Sequence, residues 1–472
     1  MTPFSEIILY AASATVVAAL AARKGLHWWV YLLAILVPGW ITVACLPFEA
    51  QGITGWNTAN SLLLTLPVVV LLIVLVRPRS TVRGTAQRPS VTLAGRLSAA
   101  SNRPSGFDYM RVVLATLVVC SHAINVCYGV AFTEAVWRGP ARPFLAIILP
   151  MFFALSGFLV AGSFERCKTI ISFGGLRVLR LMPALAVDTI IGALLLGPIF
   201  TVLPLATYFH DPAFFSYFLN IVGKIHFVLP GVFGSNPWPD FINQQLWTLP
   251  FELICYTTLV GLAFFGIAQR PKLFLVAAFG ANLLIFLIKY YEHGLEPTYL
   301  FIGPLLVQCF LYGIAAYLFR RSIVWDKTLF WIASAATVVC LSLPGWDFVV
   351  PLPATYITVY LGLLQPKRNR IINSGDYSYG IFLYGFPVQQ MVVAAFGHGH
   401  QQWYTNLLLA LPITFALAVF SWWCVEKPAM RLKPMLLQVE ASILGWSQRV
   451  PGMRFVVPML SRKDISASKT TG

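Results

Sequence analysis

The chain has 472 residues, 58% of them hydrophobic and only 11% charged, where a soluble domain carries about 25% charged residues. That balance excludes a water-soluble fold and predicts an all-α polytopic membrane protein. The formal net charge of +16 reads as membrane topology and attraction to anionic lipid, and no nucleic-acid partner is expected.

About thirteen apolar runs are long enough to cross the hydrocarbon. They lie near 5–22, 28–46, 60–76, 109–130, 144–163, 182–204, 247–267, 273–289, 298–318, 328–343, 348–364, 379–397 and 406–425. Residues 1–76 hold three of them and no embedded charge, a three-span amino-terminal membrane segment. The stretch 77–106 is basic, small and polar, and predicts a flexible cytoplasmic linker along anionic lipid. Residues 107–427 hold the other ten spans, and 428–472 form a cytoplasmic tail with a candidate interfacial helix at 434–447.

With Arg23 and Lys24 placed in the cytoplasm and sides alternated, all but four of the 33 lysines and arginines fall inside; the exceptions are Arg138, Arg142, Lys224 and Lys289. The positive-inside rule predicts this asymmetry. The amino terminus is therefore expected outside and the carboxyl terminus in the cytoplasm, in a plasma membrane such as a bacterial inner membrane. The eight cysteines lie in or beside apolar runs, except Cys167 in an inner loop, so no disulfide framework is expected. With no CxxC or HExxH pattern, no metal is expected either.

The ten-span block opens on FDYMRVVLATLVVCSHAIN, from Phe107 to Asn125. Arg111 and His122 are eleven residues apart. On a helix that separation returns to within roughly 20° of the same face and spans roughly 16 Å. A cation at one membrane surface thus shares a face with an imidazole about half a bilayer deeper. Ionisable groups inside a span are costly and mark functional sites by default.

Further along, Ser156 and Gly157 in LPMFFALSGFLV suit close helix packing or a place in the site. Arg177 and Arg180 lie three apart on one helix face before the sixth span. Two guanidiniums so spaced suit a bidentate phosphate clamp or plain anchorage at the inner surface. Asp188, inside that span, needs a donor or cation partner, in a structural or a catalytic role. Residues 205–246 form the one long outer loop, whose aromatics and amides, Asn243 among them, suit a sugar ring or an interfacial belt. The loop runs through Trp247 to Glu252 just inside the seventh span. Neither Asp188 nor Glu252 has a cation three or four residues away, so a partner from another helix is expected.

Taken together, these stretches resemble the acyltransferase-3 family of membrane O-acyltransferases across 107–427. FDYMRVVLATLVVCSHA resembles its first helix, with an arginine and then the catalytic histidine; MFFALSGFLV its second; RVLRLMPAL its paired arginines and proline. INQQLWTLPFELICY, YSYGIFLYGFP and SWWCVEKPAMR resemble its remaining motifs in the family's order. Where many members carry a histidine in the penultimate motif, this chain has Gly385.

The resemblance implies transfer of an acyl group, foremost acetyl, from cytoplasmic acyl-CoA to a hydroxyl of an envelope or exported carbohydrate or glycolipid. No resident cofactor is implied; acyl-CoA is a substrate. It also implies His122 and Glu252 as catalytic residues and Arg111, Arg177 and Arg180 as acyl-CoA contacts. Asp188, Asn243, Trp247 and Tyr379 would meet the acceptor or support the site. The rival expectation is a transporter or flippase of a polar lipid-linked solute, using the same embedded charges without covalent chemistry; no internal repeat favours it. Oligomeric state is not legible.

Overall fold

The computed structural model describes residues 91–293, 303–396 and 402–447, except 168 and 344, and in the amino-terminal part 13–22, 24, 26, 29–36, 67, 69–71 and 74. The remainder of the three amino-terminal spans, the first part of the linker at 77–90, the start of the ninth span and the tail from 448 lie outside the described residues. Among the described residues every regular element is helical, and extended chain pairs only in isolated bridges such as Thr201 with Val232.

The ten spans expected in 107–427 appear as ten helical stretches in the same order. They are α1 (Ser105–Arg138), α2 (Arg142–Arg166), α3 (Ile170–Phe200), α4 (Gln244–Phe264), α5 (Pro271–Tyr291), α6 (Gly303–Leu318), α7 (Lys327–Ser342), α8 (Pro351–Gly362), α9 (Ser378–Phe396) and α10 (Trp403–Ser421). A further helix, α11 (Lys433–Ser447), covers the candidate interfacial stretch.

Counting described residues only, seven of the ten are long and apolar enough to cross a membrane, and the described parts of α6, α7 and α8 are shorter. The α8 helix corrects the expected span at 348–364. Its 12 residues rise only about 18 Å, against roughly 30 Å of hydrocarbon. Pro351 suits the first helical turn because its missing N–H is needed there by nothing, and the preceding residues Asp347–Val349 form a separate 3-10 turn.

The chain forms two compact units that interleave in sequence. The first takes Met1–Phe107, Ala131–Leu155 and Phe279–Pro366. Its amino-terminal part buries Val17, Ala21, Tyr31, Ile35, Val70 and Val74 in one cluster. The described end of the expected linker carries a short helix. Thr92 caps the helix Leu93–Ala99 by accepting from Gly95 N at 3.2 Å, and Leu93 and Leu97, four apart, are buried. Arg96 then lies 4.1 Å over the Trp325 ring. Two apolar residues one turn apart are too few to show as periodicity, yet enough to seat a short capped helix. Gly106 presses on the end of α8: a Cβ there would lie 2.6 Å from the carbonyl oxygens of Leu361 and Leu364. Elsewhere in this unit Arg142 Nη2 meets Asp347 Oδ2 at 2.7 Å.

The second unit takes Asp108–Val130, Ser156–Ala278 and Lys367–Gly472. Its core joins Ala184 and Leu185 of α3, Leu246 and Leu249 of α4, Leu383, Tyr384 and Val388 of α9, and Ala410 of α10. Small residues set the approach: a Cβ on Gly380 would lie 2.7 Å from Ala418 Cα.

The expected outer loop is largely folded. Residues Leu205–His210 and Pro212–Tyr217 are helices, the second capped by Asp211, and Phe218–Val222 continues as a 3-10 turn. Tyr208, Phe214 and Tyr217 turn inward onto Leu229, Val232 and Ile242. For these three rings neither the sugar platform nor the interfacial belt holds: burying their area against each other is what folds the segment.

Candidate active site

All nine residues singled out by sequence lie in the second unit. Near the start of α1, Asp108 and Arg111 sit one turn apart with 3.9 Å between charged atoms. Arg111 Nη1 then donates to Asp376 Oδ2 at 2.7 Å, and Arg180 Nη2 of α3 donates to the same oxygen at 2.8 Å. Arg368 meets the other side of Asp108 at 2.9 Å. The result is a ladder of alternating charge: Arg180, Asp376, Arg111, Asp108, Arg368. Burial by itself would raise the Asp376 carboxyl, but the Arg111 and Arg180 guanidiniums and hydrogen bonds from Ser378 outweigh it and hold it below the usual carboxylate range.

Arg177 does not join its neighbour on this anion. Its guanidinium lies over the rings of Phe173 and Tyr256, 5.2 and 5.6 Å from their centroids, and its buried Nε has no hydrogen-bond partner. Among the described residues it forms no ion pair. The Tyr256 hydroxyl donates to Glu252 Oε1, and the charges of Arg180 and Arg177 act on the same carboxylate. The α3 arginines thus act on Glu252 by charge alone, with no ion pair among the described residues, and its hydrogen bond comes from within α4. Glu252 accepts this bond from Tyr256, and no hydrogen bond joins it to His122 among the described residues.

His122, two-thirds of the way to the kink in α1, is half-buried, and Phe386 of α9 meets its ring edge-on with centroids 5.3 Å apart. No hydrogen bond engages either ring nitrogen among the described residues. The wall beside it is set by close contact of α1 with α9. A Cβ on Gly385 would lie 2.4 Å from Val119 Cγ2, and Gln389 Nε2 donates to the Val119 carbonyl at 2.8 Å. Gly385, where the family resemblance leads one to expect a histidine, thus packs directly against the Val119 side chain. Past His122 the helix kinks at Gly129, with φ +78°, and a Cβ there would lie 2.7 Å from the Pro237 carbonyl oxygen. Gln390 holds that segment in place, donating to the carbonyls of Trp238 and Phe241 at 2.7 and 2.8 Å.

Asp188 Oδ2 accepts from Asn243 Nδ2 at 2.9 Å, and the same amide donates to the Tyr217 hydroxyl. Asp188, Asn243 and Tyr217 are 2%, 0% and 0% exposed. Asn243 thus ties α3 to the folded outer segment through Asp188 and Tyr217. Trp247 is half-buried with its ring 6.0 Å from Phe251. The Tyr379 hydroxyl donates to the Leu181 carbonyl at 3.1 Å, tying α9 to α3 just beyond Arg180.

Asp376, Phe386, Gln389 and Gln390 are the members of this site that the sequence does not disclose. The one available signal for Asp376 was a carboxylate two residues ahead of a membrane helix in NSGDYS. Among the described residues no cluster of three or more metal-ligating side chains occurs.

A family model described as an acyltransferase domain matches residues 105–426. The chain is 26% identical over 344 residues to a protein of Shigella phage Sf6 named O-acetyl transferase, covering 68% of this chain and 94% of that one. It is 29% identical over 382 residues to Nodulation protein 10 of Rhizobium leguminosarum bv. viciae, covering 73% of this chain and 98% of that one. No solved structure matches.

Proposed function

Since the chain belongs to the acyltransferase-3 family, and is therefore a multi-pass membrane acyltransferase, we propose that it moves an acetyl group from cytoplasmic acetyl-CoA to a hydroxyl of an envelope or exported carbohydrate or glycolipid. The observation that carries this reading is His122: an imidazole deep in a membrane helix, half-buried, with neither nitrogen in a hydrogen bond among the described residues, on the helix that bears Arg111. The relative named O-acetyl transferase supports acetyl as the group moved.

In the reaction the acceptor oxygen attacks the thioester carbonyl carbon, a C–O bond forms and the C–S bond breaks. His122 takes the hydroxyl proton and delivers it to the departing thiolate. In the covalent variant a His122 nitrogen attacks the thioester first, forming C–N as C–S breaks and CoA thiolate leaves. The acceptor hydroxyl then attacks the acyl-imidazole, forming C–O as C–N breaks, and its proton passes to the released imidazole. Arg177, Arg180 and Arg111 supply positive charge for the CoA phosphates, and only the pantetheine arm has to enter the helices. Glu252, hydrogen-bonded by Tyr256, tempers that charge.

The test is incubation of purified protein in detergent or vesicles with acetyl-labelled acetyl-CoA. Release of free CoA together with label on a glycan acceptor supports the reading. Unchanged acetyl-CoA alongside movement of an unmodified lipid-linked sugar would favour a transporter. Label retained on the protein when acceptor is withheld selects the acyl-histidine route.

A further inference from the structure

Two of the three arginines assigned to the donor share one carboxylate, Asp376, which has no role in the reaction just described. We propose that Asp376 is a positioning residue that holds Arg111 and Arg180 in the orientation in which they meet the donor's phosphates. This inference rests on the acyl-CoA reading above.

The geometry gives the first support. One oxygen, Asp376 Oδ2, accepts from both guanidiniums at 2.7 and 2.8 Å, and the other, Oδ1, accepts from Ser378 Oγ at 2.6 Å. An arginine has five N–H donors. Each side chain gives one to Asp376, so neither guanidinium is used up by the contact. With the carboxylate between them, two like charges that would otherwise repel are brought to a common anion.

The mount of the carboxylate gives the second. Arg111 and Arg180 are long side chains, 19% and 38% exposed, and by themselves would sample many rotamers. Asp376 sits on a short turn fixed from both sides. Tyr377 is 3% exposed, with its ring against Phe415 and Trp422, and its hydroxyl is 2.7 Å from Ser374 Oγ. Gly375 approaches Trp422 so closely that a Cβ would lie 2.3 Å from its Nε1. A rigid anion thus orients two flexible cations, one on the helix of His122 and one on α3.

The same contact could instead be an anion in the phosphates' place, to be expelled when donor binds. That would break both arginine bonds and the Ser378 bond from a turn with little freedom to move, and four donors per guanidinium already remain for phosphate. Positioning requires no such rupture.

The experiment compares two donors, acetyl-CoA and S-acetyl-pantetheine, which has the thioester but no phosphate. Wild type, Asp376→Asn, Asp376→Glu and Ser378→Ala are assayed, each with its thermal midpoint. Positioning predicts that Asp376→Asn raises KM for acetyl-CoA about tenfold or more while KM for S-acetyl-pantetheine changes less than twofold. Asp376→Glu should recover part of the loss, and Ser378→Ala, which keeps the charge, should raise KM for acetyl-CoA less than Asp376→Asn does. A lowered KM for acetyl-CoA in Asp376→Asn would mean that the carboxylate competes with phosphate, and would overturn the proposal. So would an unchanged KM, or equal losses with both donors accompanied by a fall in thermal midpoint, as a structural role demands. If wild type turns over S-acetyl-pantetheine as well as acetyl-CoA, the phosphate contacts and the positioning role fall together while acyl transfer stands. If wild type uses neither thioester, the acyl-CoA reading itself has failed and this inference with it.

Discussion

Gly385 of α9 lies so close to Val119 of α1 that a Cβ on it would come within 2.4 Å of Val119 Cγ2. Val119 is one helical turn before His122, so this contact fixes how near the α9 wall, with Phe386, stands to the imidazole. Gly385→Ala should therefore force the helices apart. Overpacking of this kind costs about 1–3 kcal/mol. The expected outcome is a lowered thermal midpoint and reduced acyl transfer, with Gly385→His worse than Gly385→Ala. Full activity and stability in Gly385→His would show that the contact is not close in the working enzyme.

His122→Ala should abolish acyl transfer at unchanged membrane level and unchanged thermal midpoint, because the half-buried ring makes no hydrogen bond among the described residues. Substantial turnover by a well-folded His122→Ala protein rules out its role as base or nucleophile.

The three arginines should differ. Arg177 forms no ion pair among the described residues, so Arg177→Ala removes positive charge while Glu252 keeps Arg180 and the Tyr256 hydrogen bond. Charge-assisted bonds to phosphate contribute about 1.5–3 kcal/mol, roughly tenfold in affinity at the lower end. Titration with CoA should show at least that loss for Arg177→Ala with little loss of stability. Arg111→Ala and Arg180→Ala should weaken CoA similarly but also lower the thermal midpoint, because each leaves Asp376 short of a partner. CoA affinity within twofold of wild type in all three variants would make them topology anchors.

Asn243→Ala should act on stability. It removes the amide donor of a buried carboxylate, Asp188, and leaving such a group short of a hydrogen bond costs about 1–3 kcal/mol. Thermal midpoint should drop while KM for the acceptor in the remaining folded enzyme stays unchanged. A selective rise in acceptor KM with unchanged stability would place Asn243 at the acceptor site instead.

Topology predicts that donor and acceptor approach from opposite faces. Sealed inside-out vesicles should consume added acetyl-CoA and place the acetyl group on lumenal acceptor, whereas intact right-side-out vesicles should leave external acetyl-CoA untouched. Equal use of external donor by both orientations would show that the proposed orientation or the donor site is wrong.

What the sequence determined by itself is whatever depends on neighbours along one helix. Apolar run length foretold ten helical stretches in order, because a segment in lipid has to satisfy its backbone internally. The helical repeat placed Arg111 and His122 on one face, and the motif order across 107–427 was enough to reach the family. What depends on residues meeting across helices had no signature in the sequence. Asp376 pairs with partners 265 and 196 positions away, and a carboxylate just outside a span is indistinguishable from any loop acid until α1, α3 and α9 are packed. The burial of Asn243, the folding of 205–246 onto its own aromatic rings, and the shortness of α8 followed the same rule. Each is decided by which surfaces exclude one another, and only the tertiary structure brings those surfaces together.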